Sequence, residues 1–256
     1  MRDRPGRGIS PRLIVGAIGV VLTVGGFVWG TTGLHRFGSE HSRYGFYTAH
    51  HAVAQREATN SVVAVAFDYR AFDTLGEEFI LFISVVGVVV LLRSLHDEEE
   101  EPEQEKLIPE QRRASDAERW LGTALVGPIA ILAAYIVTHG QLTPGGGFQG
   151  GVILMAAIAF IFLGGEWVIL LRLRRATSWV EMLDAGGAAG FAMIGFGGLI
   201  ATGAFFYNFL PFGTSGSLLS GGFMPLANVA VGLEVAGATL MVVSELVDQR
   251  LLRPPR

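Results

Sequence analysis

Cysteine is absent from the 256 residues, which excludes disulfides, thiolate zinc sites and cysteine-ligated iron–sulfur clusters within this chain. Lysine is nearly absent too, with Lys106 the single example. Charged residues of both signs amount to 16% of the chain while 50% is hydrophobic, more apolar than one soluble domain can hide inside itself. These scarcities point to a membrane protein.

Six apolar runs reach or approach the ~20 residues that a bilayer core requires. They are "LIVGAIGVVLTVGGFVWGTTGL" from Leu13, "FILFISVVGVVVLL" with Leu75 to Phe79 in front of it, and "WLGTALVGPIAILAAYIVT" up to Thr138. Three more follow: 150 to Leu171, Gly186 to Leu210, and Leu226 to Leu246. Arg2, Arg4, Arg7 and Arg12 precede the first run as they would in a signal peptide. That run is longer than a usual h-region and ends in no obvious small-residue cleavage site, so it reads as a span. The expected fold is an all-α integral membrane protein of about six transmembrane helices. Fifteen of the 19 Lys and Arg fall on the side of the termini, and the other four (Arg36, Arg43, Arg56, Arg70) share the first loop. By the positive-inside rule both termini are cytoplasmic.

Between the third and fourth runs lies "HGQLTPGGGFQGGV", residues 139–152, with six glycines and a proline. "GGGFQG" formally matches GxGxxG through Gly145, Gly147 and Gly150. A dinucleotide site would need a βαβ unit, and a P-loop would need a following Lys-Ser/Thr; here both flanks are membrane helices. A hairpin or a broken helix remains, either as a tight interhelical turn or as the lining of an ion path or subunit seam.

Residues 35–74 hold four of the six histidines (His35, His41, His50, His51) beside Tyr44, Phe46 and Tyr47. Interfacial aromatics on an amphipathic segment explain that composition, whereas a metal site would need defined spacing and further ligands. From Ser94 to Arg119 the chain is hydrophilic and opens with "HDEEEEPEQEKLIPE". Such a block reads as a solvated linker, alternatively as a recruiting segment for a partner. It separates a two-helix unit from a four-helix unit.

Ionisable residues in or beside spans are the candidates for function, because burying them is costly. In "NSVVAVAFDYRAFDTLGEEF" a helix from Arg70 onward places Arg70, Asp73 and Glu77 on one stripe, at about 0°, 300° and 340°, with Asp68 and Glu78 pointing elsewhere. A cation between two carboxylates suits either a proton or Na⁺ site or a structural ion-pair cluster. Glu234 sits near the middle of the sixth run and should face protein or a wet cavity, as a proton carrier or as a hydrogen-bonding group. Glu166, Glu181, Asp184 and Glu245 fall near the expected cytoplasmic ends, where snorkelling to water suffices. His139 reads as an interfacial or capping residue. With no lysine in any span, the chain lacks the string of intramembrane charges of a self-contained pump. Its many small residues, as in "GFGGLIATGA", suggest close helix packing, consistent with burial among other subunits.

"THGQLTPGGGFQGGVILMAAIAF" from Thr138 resembles the hallmark of the B subunit of Mrp-type (Mnh-type) multisubunit Na⁺/H⁺ antiporters. "NSVVAVAFDYRAFDTLGEEFILFISVVGVVVLLR" from Asn60 resembles the E-type module that ends their large A-type component or stands alone in related membrane-bound hydrogenases. The resemblance implies three parts: an E-like two-helix module over 1–95, an acidic cytoplasmic linker over 96–119 and a B-like four-helix domain over 120–256. It implies a secondary-transporter subunit rather than an enzyme, exchanging cytoplasmic Na⁺ for external H⁺ and bordering the Na⁺ path. Implied partners are the A, C, D, E, F and G types of subunit, the lipid bilayer, Na⁺ and H⁺, with no cofactor, no resident metal and no nucleic acid. The implied location is a bacterial cytoplasmic membrane. Alternatives are a subunit of a hydrogenase-type redox complex and a non-conducting scaffold. Asp68, Arg70, Asp73, Thr74, Gly76 and Glu77 match the E-like motif. Thr143, Pro144, Gly145, Gly146, Gly147, Phe148, Gly150 and Gly151 match the B-like one, with Phe148 as plug or packing residue. Glu78 departs from the motif, where an apolar residue is expected.

Overall fold

The computed structural model describes residues 11–34, 42–92, 115–163 and 177–251. Every regular element among them is helical: α1 (Pro11–Thr32), α2 (Arg43–Arg56), α3 (Ser61–Ala64), a π-helical turn (Val65–Tyr69), α4 (Ala71–Leu92), α5 (Asp116–Thr138), α6 (Gly147–Leu163), α7 (Thr177–Thr202) and α8 (Met224–Leu251). Among the described residues, α1, α4, α5, α7 and α8 contain stretches long and apolar enough to cross a membrane, and α6 is a shorter apolar helix. This is the multi-pass all-α architecture expected. His35, Arg36, His41, residues 96–114 of the acidic linker, Glu166 and the second half of the fourth run lie outside the described residues.

Two compact units divide the chain, Met1–Phe46 and Tyr47–Arg256. The first contains α1, exposed along its whole described face, with Trp29 at 81%. An apolar helix so bare is covered by lipid or by another protein.

In the second unit α8 is the axis. Two-thirds of its spanning stretch (67%) is buried, against 11% for α4 and for α5. α5 pairs with α6 and α7 with α8, while α6 and α4 also pack on α8. Small residues permit this crowding: a Cβ on Gly151 would stand 2.8 Å from the Gly232 oxygen, and one on Gly187 would stand 2.6 Å from the Ala230 oxygen. Backbones that approach so closely gain dispersion energy, which replaces the missing hydrophobic drive between helices in lipid. Phe67, Phe191, Phe206, Phe223 and Met224 fill the main core, and Val85, Met155, Val180 and Leu240 a second one.

One boundary differs from expectation. The fifth apolar run extends from Gly186 to Leu210, but the helix occupies Thr177–Thr202. Gly203 at φ +81° and Phe206 at φ +59° break it. The aromatic segment then folds back, Phe206 donating its N–H to the Gly195 oxygen at 3.1 Å. Gly195, Gly197 and Gly198 thus receive the chain's own Phe205, Phe209 and Tyr207. The shift also moves Asp184 from a helix end into the interior of α7.

A local start signal explains where α5 begins. Ser115 and Glu118 form a capping box at α5, Ser115 N–H donating to the Glu118 carboxylate at 2.7 Å and Glu118 N–H to the Ser115 hydroxyl at 3.2 Å. The 139–146 hairpin and the loop after α7 share one end of the bundle, because the Gln141 side-chain amide donates to the Leu218 oxygen at 2.7 Å. If the charge count gives the correct orientation, that end faces outward. Because the chain has no cysteine of its own, Thr214→Cys should react with a membrane-impermeant maleimide on intact cells, and Ala117→Cys only after permeabilisation. The reverse pattern would invert the topology.

Candidate functional site

Two asparagines hold the glycine hairpin. Asn60 caps α3 by accepting from the N–H groups of Val62 and Val63, and its amide donates to the oxygens of Gly140 at 2.7 Å and Thr143 at 2.9 Å. Its own N–H donates to the Gln141 oxygen at 3.1 Å, so the first residue of the E-like stretch is bonded directly to the B-like one. From the other side Asn228, fully buried in α8, accepts from the Gly147 N–H at 2.9 Å and donates to the Met224 oxygen at 3.0 Å. Gly145 and Gly146 have φ of +137° and +142°, which side chains rarely adopt. A Cβ on Gly147 would stand 2.5 Å from the Asn228 oxygen. The cluster is therefore a close-packed hairpin. Gly150 is buried against α5, Pro144 is exposed at the tip, Thr143 is partly buried, and Phe148 packs against the main core.

Next to the hairpin, the π-helical turn alters the register of the chain. Arg70 N–H bonds back to the Val65 oxygen at 2.8 Å, which leaves the Ala66 oxygen to the Thr74 hydroxyl at 2.6 Å. Extra-residue turns of this kind recur at functional sites. This one aims Asp68 at Arg56, with a nitrogen to oxygen distance of 2.5 Å, and at the Asn208 amide at 2.8 Å. Asn208 also donates to the Gly221 oxygen and accepts from the Phe223 N–H. Arg56 lies over the rings of Tyr69 and Phe212 at 4.9 and 5.4 Å. These groups line an open cleft of about 350 Å³ whose far wall is Phe205, Phe206 and Tyr207.

Helix α4 separates the acidic residues onto two faces. Arg70 and Asp73 form an exposed ion pair, and Glu77 is exposed one turn further on, as is Gly76. The opposite face, Ala71, Thr74, Glu78 and Val85, is buried. Glu78 is 1% exposed and faces Glu234 of α8, which is 0% exposed. Asp184 of α7, 1% exposed, is close enough for its charge to act on both. Neither glutamate has a hydrogen-bond donor in place, and Asp184 has one orphan oxygen. By sequence Glu78 is an ion-path candidate that departs from the motif, and Asp184 is a snorkelling residue; both are interior. Glu181 is exposed, whereas Glu245 is buried at 9%. Among the described residues no three His, Asp or Glu side chains are arranged to hold a metal ion. His51 and His139 bond to the carbonyls of Tyr47 and Tyr135 and stack on those rings, His139 taking the C-cap of α5.

Comparison with known proteins bears on this arrangement. Residues 119–241 match the family described as "Domain related to MnhB subunit of Na+/H+ antiporter". An uncharacterized protein of Methanocaldococcus jannaschii is 32% identical over 193 residues, covering 69% of this chain and 72% of that protein. The chain belongs to the MnhB-related family. A Rhizobium meliloti protein, named as a probable A/B subunit of a K⁺/H⁺ antiporter, is 29% identical over 237 residues, 81% of this chain but only 22% of that protein. Among solved structures, a chain of the archaeal membrane-bound sulfane sulfur reductase superposes with a TM-score of 0.67 at 27% identity, over 94% of this chain and 98% of that one. A chain of the Mrp complex from Dietzia sp. DQ12-45-1b shares the fold with a TM-score of 0.68 at 23% identity, over 95% of this chain and 27% of that one.

The hairpin makes a specific prediction for this MnhB-type subunit. Asn228→Ala orphans the buried Gly147 N–H and should lower stability by about 1–3 kcal/mol. Gly147→Ala should cost a similar amount through overpacking. Gly186→Ala, where an added Cβ meets nothing within 4 Å, should leave the thermal midpoint in detergent unchanged. Equal midpoints for all three variants would contradict the packing described.

Proposed function

We propose that the chain is a membrane subunit of a multisubunit cation/proton antiporter, exchanging cytoplasmic Na⁺ for external H⁺ at the expense of the proton-motive force. In this reading residues up to 95 form an E-like module, 96–119 an acidic linker and 120–256 the B-like domain. The observation that carries the proposal is the ionisable row Arg70, Asp73 and Glu77 on the outward face of α4. That face is otherwise bare hydrocarbon, with Phe72 at 69% and Ile80 at 69% exposed. Glu77 lies six residues into the helix, ~9 Å from its start, where contact with lipid would cost several kcal/mol. Such a row calls for neighbouring subunits with a hydrated path between them. The chain thus borders a cation path, with Asp73 and Glu77 exchanging Na⁺ or H⁺, Arg70 biasing them and the hairpin shaping the outer exit. The main proton route lies in other subunits, in keeping with the absence of lysine from every span. The combined A/B name of the Rhizobium relative supports the joining of two modules.

One observation favours a second reading. The sulfane sulfur reductase chain is matched over 98% of its length, so the same body fits an ion-translocating redox complex. Any iron–sulfur cluster there would sit on partner subunits, since this chain has no cysteine.

The test is Na⁺-dependent antiport in membrane vesicles carrying the whole complex, with assembly checked on a native gel. Glu77→Gln should reduce exchange at least about tenfold, equivalent to ~1.4 kcal/mol on the barrier, with the complex intact. Unchanged exchange in both Glu77→Gln and Asp73→Asn would reduce the chain to a scaffold. Copurification of iron–sulfur subunits without antiport would favour the redox reading.

A further inference from the structure

The outward row leaves a second set of ionisable groups unused. Glu78, Glu234 and Asp184 come from three helices, point inward, and are each no more than 1% exposed. Four glutamate oxygens and one aspartate oxygen have no donor. We propose that these three carboxyls form a proton-exchanging site in the protein interior, separate from the cation path along the outer face of α4. The assignment rests on the transporter reading above for its direction of use, but not for its chemistry.

A proton fits the site and a metal cation does not. A hard cation such as Ca²⁺ or Mg²⁺ takes about six oxygen ligands, and a dehydrated Na⁺ also needs several oxygens. Helices α4, α7 and α8 run without interruption past these residues, so their carbonyl oxygens are committed to helical bonds. Among the described residues no three acidic or histidine groups are arranged to hold a metal. Two buried carboxylates facing one another repel, and among the described residues neither has a counter-charge. A single proton between Glu78 and Glu234 removes one charge and supplies the missing donor.

Among the described residues, that pair has no opposite charge beside it. From α4 comes Glu77, whose charge reaches Glu78; from α7 comes Asp184, with Glu181 exposed a turn away. Glu245 lies three turns further along α8. The π-helical turn contributes Asp68, already paired with Arg56. Helix α6 has no ionisable residue, and α5 carries charges only in its first turn.

Close packing fixes a line of transfer. A Cβ on Gly187 would meet the Glu234 Cβ at 2.7 Å, and one on Gly237 would meet the Asp184 N at 2.6 Å. Antiparallel α7 and α8 therefore put Asp184 level with Gly237, three residues or ~4.5 Å beyond Glu234 along the axis. Glu78 stands next in sequence to outward-facing Glu77. A cation arriving at Glu77 offsets the negative charge there and favours release of the proton from Glu78. The O–H bond broken on one glutamate re-forms on the other and then on Asp184, and no electron moves.

The experiment is pH-jump infrared difference spectroscopy on the purified, intact complex, paired with antiport in proteoliposomes. Wild type should show a protonated-carboxyl C=O band at neutral pH. Each of Glu78→Gln and Glu234→Gln should shift it, the triple variant with Asp184→Asn should abolish it, and Glu181→Gln should leave it in place. Antiport should fall at least tenfold in each single variant and in Asp184→Asn. A band that persists in the triple variant overturns the site, as does a lost band with unchanged antiport. If the triple variant does not assemble, an unshifted band in both single variants overturns it. A band that behaves as expected in a wild-type complex without antiport instead overturns the transporter reading and leaves the carboxyl site standing.

Discussion

Everything in the second unit depends on the pinning of one glycine hairpin by two asparagines. The backbone of residues 139–147 carries polar groups that the flanking helices satisfy only in part, at the edge of a medium where unsatisfied groups are expensive. Asn60 takes up carbonyls from one side, and Asn228 takes up an N–H from the other. Each also serves its own helix, Asn60 as the cap of α3 and Asn228 by bonding back to the Met224 oxygen. Two side chains therefore fix the entry of α6, the start of the segment leading to α4, and the seat of both on α8.

The charged groups follow from that seating. With α4 held against α8 along Ala71, Thr74, Glu78 and Val85, the other acidic residues of the motif have no choice but to face outward. One helix thus presents carboxylates to two different environments, the protein interior and the exposed outer face. Adjacent residues Glu77 and Glu78 are the point at which those environments are closest. The π-helical turn keeps Asp68 out of both sets by directing it to Arg56 and Asn208.

How much of this the sequence shows depends on whether a signal is local. Composition and run length reveal the spans, and the hairpin is visible because glycine and proline punctuate the chain regardless of context. Glu234 is conspicuous for a similar reason, a single charge in an apolar run. The stripe of Arg70, Asp73 and Glu77 can be drawn from helix geometry, but which stripe faces inward is set by α8, some 150 residues away in sequence. Asp184 is hidden by a boundary error: apolar residues continue past Gly203, so a hydropathy reading slides the span along the chain, whereas a left-handed backbone at Gly203 and Phe206 stops the helix. Asn60, Asn208 and Asn228 give no signal of their own, although an asparagine within an apolar span close to a glycine cluster is a pattern that could have been noticed.

The bonds between the segment 47–92 and the segment 116–251 have an evolutionary consequence. Asn60 to the hairpin, Asp68 to Asn208, and the Glu57 carboxylate accepting from the Ser215 N–H at 2.9 Å are all made by side chains reaching across the seam. None of them requires that the two segments share a peptide backbone. Cutting the gene between them would leave these three bonds in place and remove the effective concentration that a tether provides. The seam is thus held by side chains that would work equally between two separate chains.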